Sequence, residues 1–317
     1  MKTSLRHTLI ISAAALCIAI PAQAAEFINI LTGGTSGVYY PLGVALSQIY
    51  SKAIPGSKTA VQATKASAEN LNLLQAGRGE VAISLGDSLS DAWKGNEEAG
   101  FKTPLKKLRT IAALYPNYIH FVALADAGIK TLADIKGKRI SVGAPKSGTE
   151  LNVRAIVKAA GMTYKDFSKV EYLSYAESVE LMKNRQLDVT LLSSGLGVAA
   201  LRDLATSQKV VFLSIPADIV AKIDDPAFQV GIIPAKTYEG QDTDVSTISI
   251  QNYLVTHDGV STETVYTMTK SMFENLDQMI AAHAAAKAIK LENAAKTPPA
   301  PLHPGAEKYY REVGVLK

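Results

Sequence analysis

Cysteine is nearly absent from the 317-residue sequence. The single cysteine, Cys17, lies in an apolar stretch near the N-terminus. Without a second cysteine the chain cannot form an internal disulfide, and once that stretch is removed no thiol chemistry remains.

A strong excess of charge of either sign is also missing. The formal net charge of +4 includes Lys2 and Arg6, so it falls to about +2 without the N-terminal segment. Nucleic-acid-binding domains carry dense basic surfaces. We therefore expect no nucleic acid partner.

No apolar run is long enough to span a bilayer. The longest, from Leu9 to Ile20, offers roughly 12 residues where ~20 are needed. It follows Lys2 and Arg6 and precedes the small-residue site Ala22-Gln23-Ala24, which is the pattern of a secretory signal peptide. We predict that residues 1–24 are removed and that the mature chain is periplasmic.

Motifs for covalent or metal-assisted catalysis are missing as well. The sequence contains no GxSxG, HExxH or CxxC, and the histidines beyond the leader are scattered: His120, His257, His283 and His303. The segment GAPKSGT has phosphate-loop spacing but lacks the Lys directly after its second Gly. We expect no catalytic residues, no metal and no cofactor.

The chain does have the composition and patterning of a folded α/β protein. Hydrophobic residues make up 47% and charged residues 20%, and short β-rich runs alternate with helical patterns. The chain is longer than a single hydrophobic core usually supports. We predict two α/β lobes with a ligand cleft between them: lobe I from residues 25–118 and 252–317, and lobe II from residues 119–251.

Two strands are predicted to cross between these lobes. They run from about Ile119 to Leu124 and from about Gln251 to His257. A pair of crossing strands lets lobes close without breaking either core.

Hydroxyl residues and glycines cluster where three helices are predicted to begin after strands. Ligands bind at that edge of open α/β sheets, and a helix N-terminus offers unpaired N–H groups and about half a positive charge. Taken singly, each cluster is also explained as an ordinary helix cap. The candidate ligand-binding residues at these starts are Thr35, Ser36, Tyr39, Ser67, Asn70, Ser147, Gly148 and Thr149.

Four further residues complete the predicted site. Asp87 follows a strand and is either a ligand acceptor or a helix cap, and Tyr118 is either a pocket wall or a core residue. Ser194, with Ser193 before it, ends the strand LDVTLLSS. Lys146 lies beside Ser147, where it either meets a second acidic group of the ligand or points to solvent.

Five segments, in order, resemble the TAXI family (TRAP-associated extracytoplasmic immunogenic) of solute receptors. They are GGTSGVYYPLG, SAENLNLLQAGRGEVAI, GAPKSGTE, IPAKTYEGQDTDVSTISI and LHPGAEKYYREVG, and they cover essentially the whole mature chain. Lys146 departs from the smaller or uncharged residue expected in many relatives.

The resemblance implies a type II periplasmic binding protein fold without enzymatic activity. Its ligand would be a small acidic metabolite, such as glutamate, 2-oxoglutarate or a similar carboxylate. The receptor would pass it to the membrane permease subunits of a TRAP-type secondary transporter, and we expect a monomer. Two other classes stay open: a ligand sensor or adhesin subunit on the same fold, and a periplasmic enzyme.

Overall fold

The computed structural model describes residues 26–317, so the predicted signal peptide and its cleavage site lie outside the described residues. The strands are β1 (Phe27–Leu31), β2 (Lys58–Gln62), β3 (Val81–Leu85), β4 (Leu108–Leu124), β5 (Arg139–Ser141), β6 (Lys169–Glu171), β7 (Val189–Ser194), β8 (Val210–Leu213), β9 (Gln229–Ile233) and β10 (Val245–His257). The α-helices are α1 (Tyr39–Ala53), α2 (Ser67–Gln75), α3 (Gly86–Lys94), α4 (Gly148–Ala159), α5 (Tyr175–Lys183), α6 (Ala199–Ser207), α7 (Ala217–Ile223), α8 (Thr262–Glu274), α9 (Leu276–Ala282) and α10 (Pro304–Glu312). None of these described helices is long and apolar enough to cross a membrane.

All ten strands belong to one mixed sheet. Its order is β2-β1-β3-β10-β4-β7-β5-β6, with β8 beside β4 and β9 beside β10. The pairs made by β1 and β5 are parallel, whereas β4 and β10 run antiparallel to their neighbours. Strand β3 is buried along its whole length, as expected of a strand inside an α/β sheet.

The long strands β4 and β10 divide the sheet into two halves. The start of β4 and the end of β10 pair with each other and, through β3, with β1 and β2, which we call the first half. The end of β4 pairs with β7 and β8, and the start of β10 pairs with β9, which gives the second half. The backbone thus passes twice between the halves. The division at 118/119 and 251/252 remains a prediction.

Strand β4 begins earlier than predicted, at Leu108 rather than near Ile119. Its interior contains Pro116, paired with Gln251 where β10 has a register irregularity. Proline cannot donate a ladder hydrogen bond and usually argues against a strand interior. Here it lies where β4 changes its partners.

The other differences concern four helices and the strand β9. The long helical pattern after Ser261 is two helices, α8 and α9, separated at Asn275, whose φ of −124° leaves the helical region. In the second half, α6, α7 and β9 were not predicted. They are short elements of five to nine residues, too short for a strong periodic signal.

The two halves touch on both flanks of the space between them. Asn152 Nδ2 on α4 donates to Asp87 Oδ2 on α3 at 2.6 Å, and Arg154 Nη1 donates to the Glu98 carbonyl at 2.5 Å. On the other flank Ala200 N donates to the Ser36 carbonyl at 3.3 Å. These hydrogen bonds join the two halves directly.

Asp87 occupies an unusual position in this contact. The residue is 3% exposed, and Asp87 Oδ1 and Asn152 Oδ1 are both buried without a hydrogen-bond partner. Burial raises the pKa of the Asp87 carboxyl to about 7, and the nearby Asp91 and Asp225 add to the rise. A proton on Asp87 would supply a donor that this pair of oxygens lacks.

We predict that stability falls as Asp87 ionises. Because the folded pKa lies above the unfolded value, the contribution is fully present below about pH 4 and is lost as pH rises through about 7, by up to ~4 kcal/mol. Asp87→Asn should flatten this part of the profile, measured as urea unfolding free energy against pH. Asp218→Asn, on the exposed face of α7, is the control. Parallel profiles for wild type and Asp87→Asn would contradict the assignment.

Candidate functional site

Four helices begin at the wall of one cavity of about 130 Å³ between the halves. The first half contributes the starts of α1 and α2, and the second half contributes the starts of α4 and α5 with the end of β7. Helix N-termini carry N–H groups without intrahelical acceptors and a partial positive charge. Their convergence gives the cavity a positive, donor-rich wall.

The start of α2 is built on a strained turn. Ala66, its cap residue, has φ 69° and ψ −147°, a conformation that is normally left to glycine. Asn70 holds the turn: its Nδ2 donates to the carbonyls of Thr32 and Ile83, and its Oδ1 accepts from Thr64 Oγ1 at 2.6 Å. The turn presents Ser67, whose Oγ accepts from Leu85 N at 3.2 Å.

The start of α4 faces the start of α2 across the cavity. Ser147 caps the helix, its Oγ accepting from Glu150 N at 3.1 Å, so its hydroxyl hydrogen stays available. Gly143 has φ 92°, and a Cβ there would lie 2.8 Å from Thr149 Cγ2. A Cβ on Gly148 would lie 2.7 Å from Ser67 Oγ, so glycine permits this close approach of the halves.

Tyr175 at the start of α5 is a cavity residue that was not predicted. Its hydroxyl donates to the Ser193 carbonyl at 2.7 Å and bonds Thr149 Oγ1 at 2.8 Å. Burial raises its pKa to about 12, so the phenol is neutral. The capping box of Ser174 and Glu177 marks this helix start in the sequence, but nothing local indicates that Tyr175 turns toward the cavity.

Two asparagines at the strand crossing connect the cavity walls and were also not predicted. Asn252 Oδ1 accepts from Tyr39 Oη at 2.5 Å, and its Nδ2 donates to Asn117 Oδ1 at 2.7 Å. Asn117 Nδ2 in turn donates to the Ser193 carbonyl at 2.8 Å. The chain of bonds runs from the first-half wall to the second-half wall.

Six of the predicted residues line the cavity together: Tyr39, Ser67, Ser147, Gly148, Thr149 and Ser194. Burial raises the pKa of Tyr39 well above its usual value, and a hydrogen bond from Ser67 partly offsets this. Residues from four separate chain segments are thus brought to one place.

The remaining six lie outside the lining. Thr35 is exposed and Ser36 half-buried on the loop before α1, while Asn70 supports the α2 turn from behind. Tyr118 is half-buried in β4, packed against the hydrophobic core.

Asp87 and Lys146 also lie outside the lining, and their contacts with a ligand remain predictions. Asp87 bonds Asn152 in a neighbouring cleft, where it neither meets the cavity nor caps α3. Lys146 is exposed, has φ 60° and lies outside the lining, and its contact with a ligand remains a prediction.

Among the hydroxyls of the described lining, only that of Ser174 donates to a carboxylate, and it does so to Glu177 within the capping box of α5. The lining contains hydroxyls, glycines and apolar side chains, with Lys65 exposed at the rim and no His, Cys, Asp or Glu. His120 in β4 lies outside the lining; its Nε2 is 2.9 Å from Tyr238 Oη, and burial lowers its pKa to about 4. Across residues 26–317 no cluster of His, Cys, Asp or Glu could hold a metal ion.

Several solved structures share this fold at low sequence identity. PhnD1 from Prochlorococcus marinus in complex with methylphosphonate is 13% identical, with a TM-score of 0.58 over 92% of this chain and 99% of that one. The alkanesulfonate-binding protein SsuA from Xanthomonas axonopodis pv. citri bound to MOPS is 14% identical, with a TM-score of 0.50 over 92% and 85%. A binding protein component of an ABC phosphonate transporter from Pseudomonas aeruginosa is 12% identical, with a TM-score of 0.51 over 84% and 80%.

The sequence itself matches one family across most of its length. The NMT1-like family covers residues 30–314, which includes every helix start at the cavity. With the mixed sheet, the two crossing strands and the cavity between two halves, the fold is that of a type II periplasmic binding protein, and the chain belongs to the NMT1-like family.

Proposed function

We propose that this chain is an exported solute receptor that closes around a small carboxylate and delivers it to a membrane permease. The observation that carries the proposal is the cavity itself, whose wall comes from four helix starts on both halves. A ligand that contacts both halves favours the closed arrangement, because it binds that arrangement better than the open one.

Binding without chemical change is supported by the composition of the lining. Its described residues offer hydroxyl and N–H donors and include no His, Asp or Glu to act as a general base, and the one hydroxyl that donates to a carboxylate, Ser174, belongs to a helix cap. A turnover assay with any retained ligand separates a receptor from a periplasmic enzyme. A sensor or adhesin subunit would bind the same ligand without supporting its uptake.

The resemblance to the TAXI family favours delivery to a TRAP-type transporter. Delivery to an ABC-type transporter is the second candidate, since one structural neighbour is a component of such a system. Uptake into cells distinguishes the two: an ionophore that collapses ion gradients should stop TRAP-type uptake, whereas ATP depletion at a maintained gradient should stop ABC-type uptake.

Native mass spectrometry tests the receptor function most directly. We expect gently purified protein to retain a small molecule that partial unfolding releases. A chain that retains nothing, and that no solute stabilises against thermal unfolding, would contradict a receptor function.

The start of α4 generates a prediction for affinity. Ser147→Ala with Thr149→Ala removes the free hydroxyl of Ser147 and the partner of Tyr175. Each hydrogen bond to a charged ligand is worth roughly 1.5–3 kcal/mol, so Kd should rise about tenfold or more in calorimetry. Ser261→Ala removes a similar cap from α8 and should leave Kd unchanged. Equal affinities for all three proteins would place the site elsewhere.

Gly148 generates a prediction for closure. In Gly148→Ala the new Cβ meets Ser67 Oγ and Leu85 Cδ1, each at 2.7 Å, so the halves cannot approach fully. We expect ligand to reduce the radius of gyration of the wild type in solution scattering, and to reduce that of the variant less, with weaker binding. Alanine suits the first helical turn, so thermal stability should not fall. Identical scattering changes would show that the contact does not limit closure.

A further inference from the structure

The charges around the cavity indicate which charge a ligand can carry. Four helix starts present partial positive charge, Lys65 stands at the rim, and none of the described lining residues is acidic. A ligand ammonium would therefore face N–H donors and a positive potential, and no carboxylate of the described lining would pair with it; Glu177, just outside, already accepts from Ser174. An anion is favoured at the same place.

The hydroxyl groups of the lining also favour an anionic ligand. Ser193 Oγ, in a residue 4% exposed, has no hydrogen-bond partner. Ser147 already accepts a backbone N–H, which leaves its hydrogen to donate. A buried hydrogen-bond donor without an acceptor costs free energy. A ligand rich in acceptor oxygens could accept from the hydroxyls of Ser193 and Ser147 and so remove this cost.

The size of the cavity and its apolar residues limit the remaining part of the ligand. The cavity of about 130 Å³ is close to one of roughly 150 Å³ that accepts a molecule as large as benzene. About six non-hydrogen atoms therefore fit. Val38, Leu85 and Ala144 also line it and suit a short apolar end.

Resting on the receptor function proposed above, we propose that the ligand is a compact monoanion with a short apolar end and no ammonium group. Short 2-oxo or 2-hydroxy monocarboxylates and one- or two-carbon phosphonates share this chemistry. Glutamate and 2-oxoglutarate, expected from the family resemblance, are larger and carry a second acidic group, for which the lining offers only Lys65 at the rim.

Matched solutes test the charge and size rules separately, by calorimetry on protein stripped of retained ligand. Pyruvate and alanine differ by an oxo group in place of an ammonium, and pyruvate and 2-oxoglutarate differ by a second carboxylate arm. Methylphosphonate and lactate test the headgroup. We expect at least one compact monoanion to bind about a hundredfold more tightly than alanine, glutamate or 2-oxoglutarate.

Tighter binding of alanine, glutamate or 2-oxoglutarate would overturn the inference and leave the receptor function standing. Failure of every compact monoanion would overturn it too. In that case, a larger molecule retained in native mass spectrometry would still support a receptor. An empty protein that binds no solute would remove both proposals.

Ser194 offers a variant that isolates charge from shape. Its side chain is 3% exposed, lines the cavity and makes no hydrogen bond in the described structure. Ser194→Asp and Ser194→Asn add nearly the same volume but differ by one negative charge. For the tightest-binding monoanion, we expect Ser194→Asp to lose at least about tenfold more affinity than Ser194→Asn. Equal losses in two folded variants would show that the cavity does not select for negative charge.

Discussion

The buried amide of Asn252 joins the two structural features on which the site depends, the strand crossing and the cavity wall. It accepts from Tyr39 and donates to Asn117 and to the Tyr115 carbonyl, all within 2.8 Å. A buried amide must have its hydrogen bonds satisfied. Tyr39, Asn117 and the Tyr115 carbonyl must therefore all lie within hydrogen-bond distance of Asn252 at the same time. The pairing of β4 with β10 and the placing of the first-half wall are therefore fixed by the same side chain.

The sequence predicted the elements whose signals are local. Strand β1, helix α1 and the starts of α2 and α4 follow from apolar periodicity and from hydroxyl residues at helix caps. Ser67, Ser147 and Thr149 could be proposed for the site on the same basis, since helix starts at the carboxyl ends of strands converge in this class of fold.

The features that were not predicted from the sequence depend on contacts between residues far apart in the chain. The contact of Asn70 with a ligand remains a prediction, and its support of the α2 turn depends on the carbonyls of Thr32 and Ile83, which are distant in the chain. Tyr175 lines the cavity because its hydroxyl donates to the Ser193 carbonyl and bonds the hydroxyl of Thr149. Pro116 obscured the first part of β4, since a proline argues against a strand unless its position in the sheet is known.

In the receptor proposed above, the walls contributed by both halves would also determine how a ligand leaves. A solute held between Ser67 on one side and Ser147 on the other would lose one set of contacts before it could dissociate, and the two crossing strands, β4 and β10, would have to bend for that to happen. Its residence time is then set by the rate of opening, not by diffusion from an open surface. A permease that pulls the halves apart would thus act on the protein's own motion, and could release a tightly held solute without competing for it.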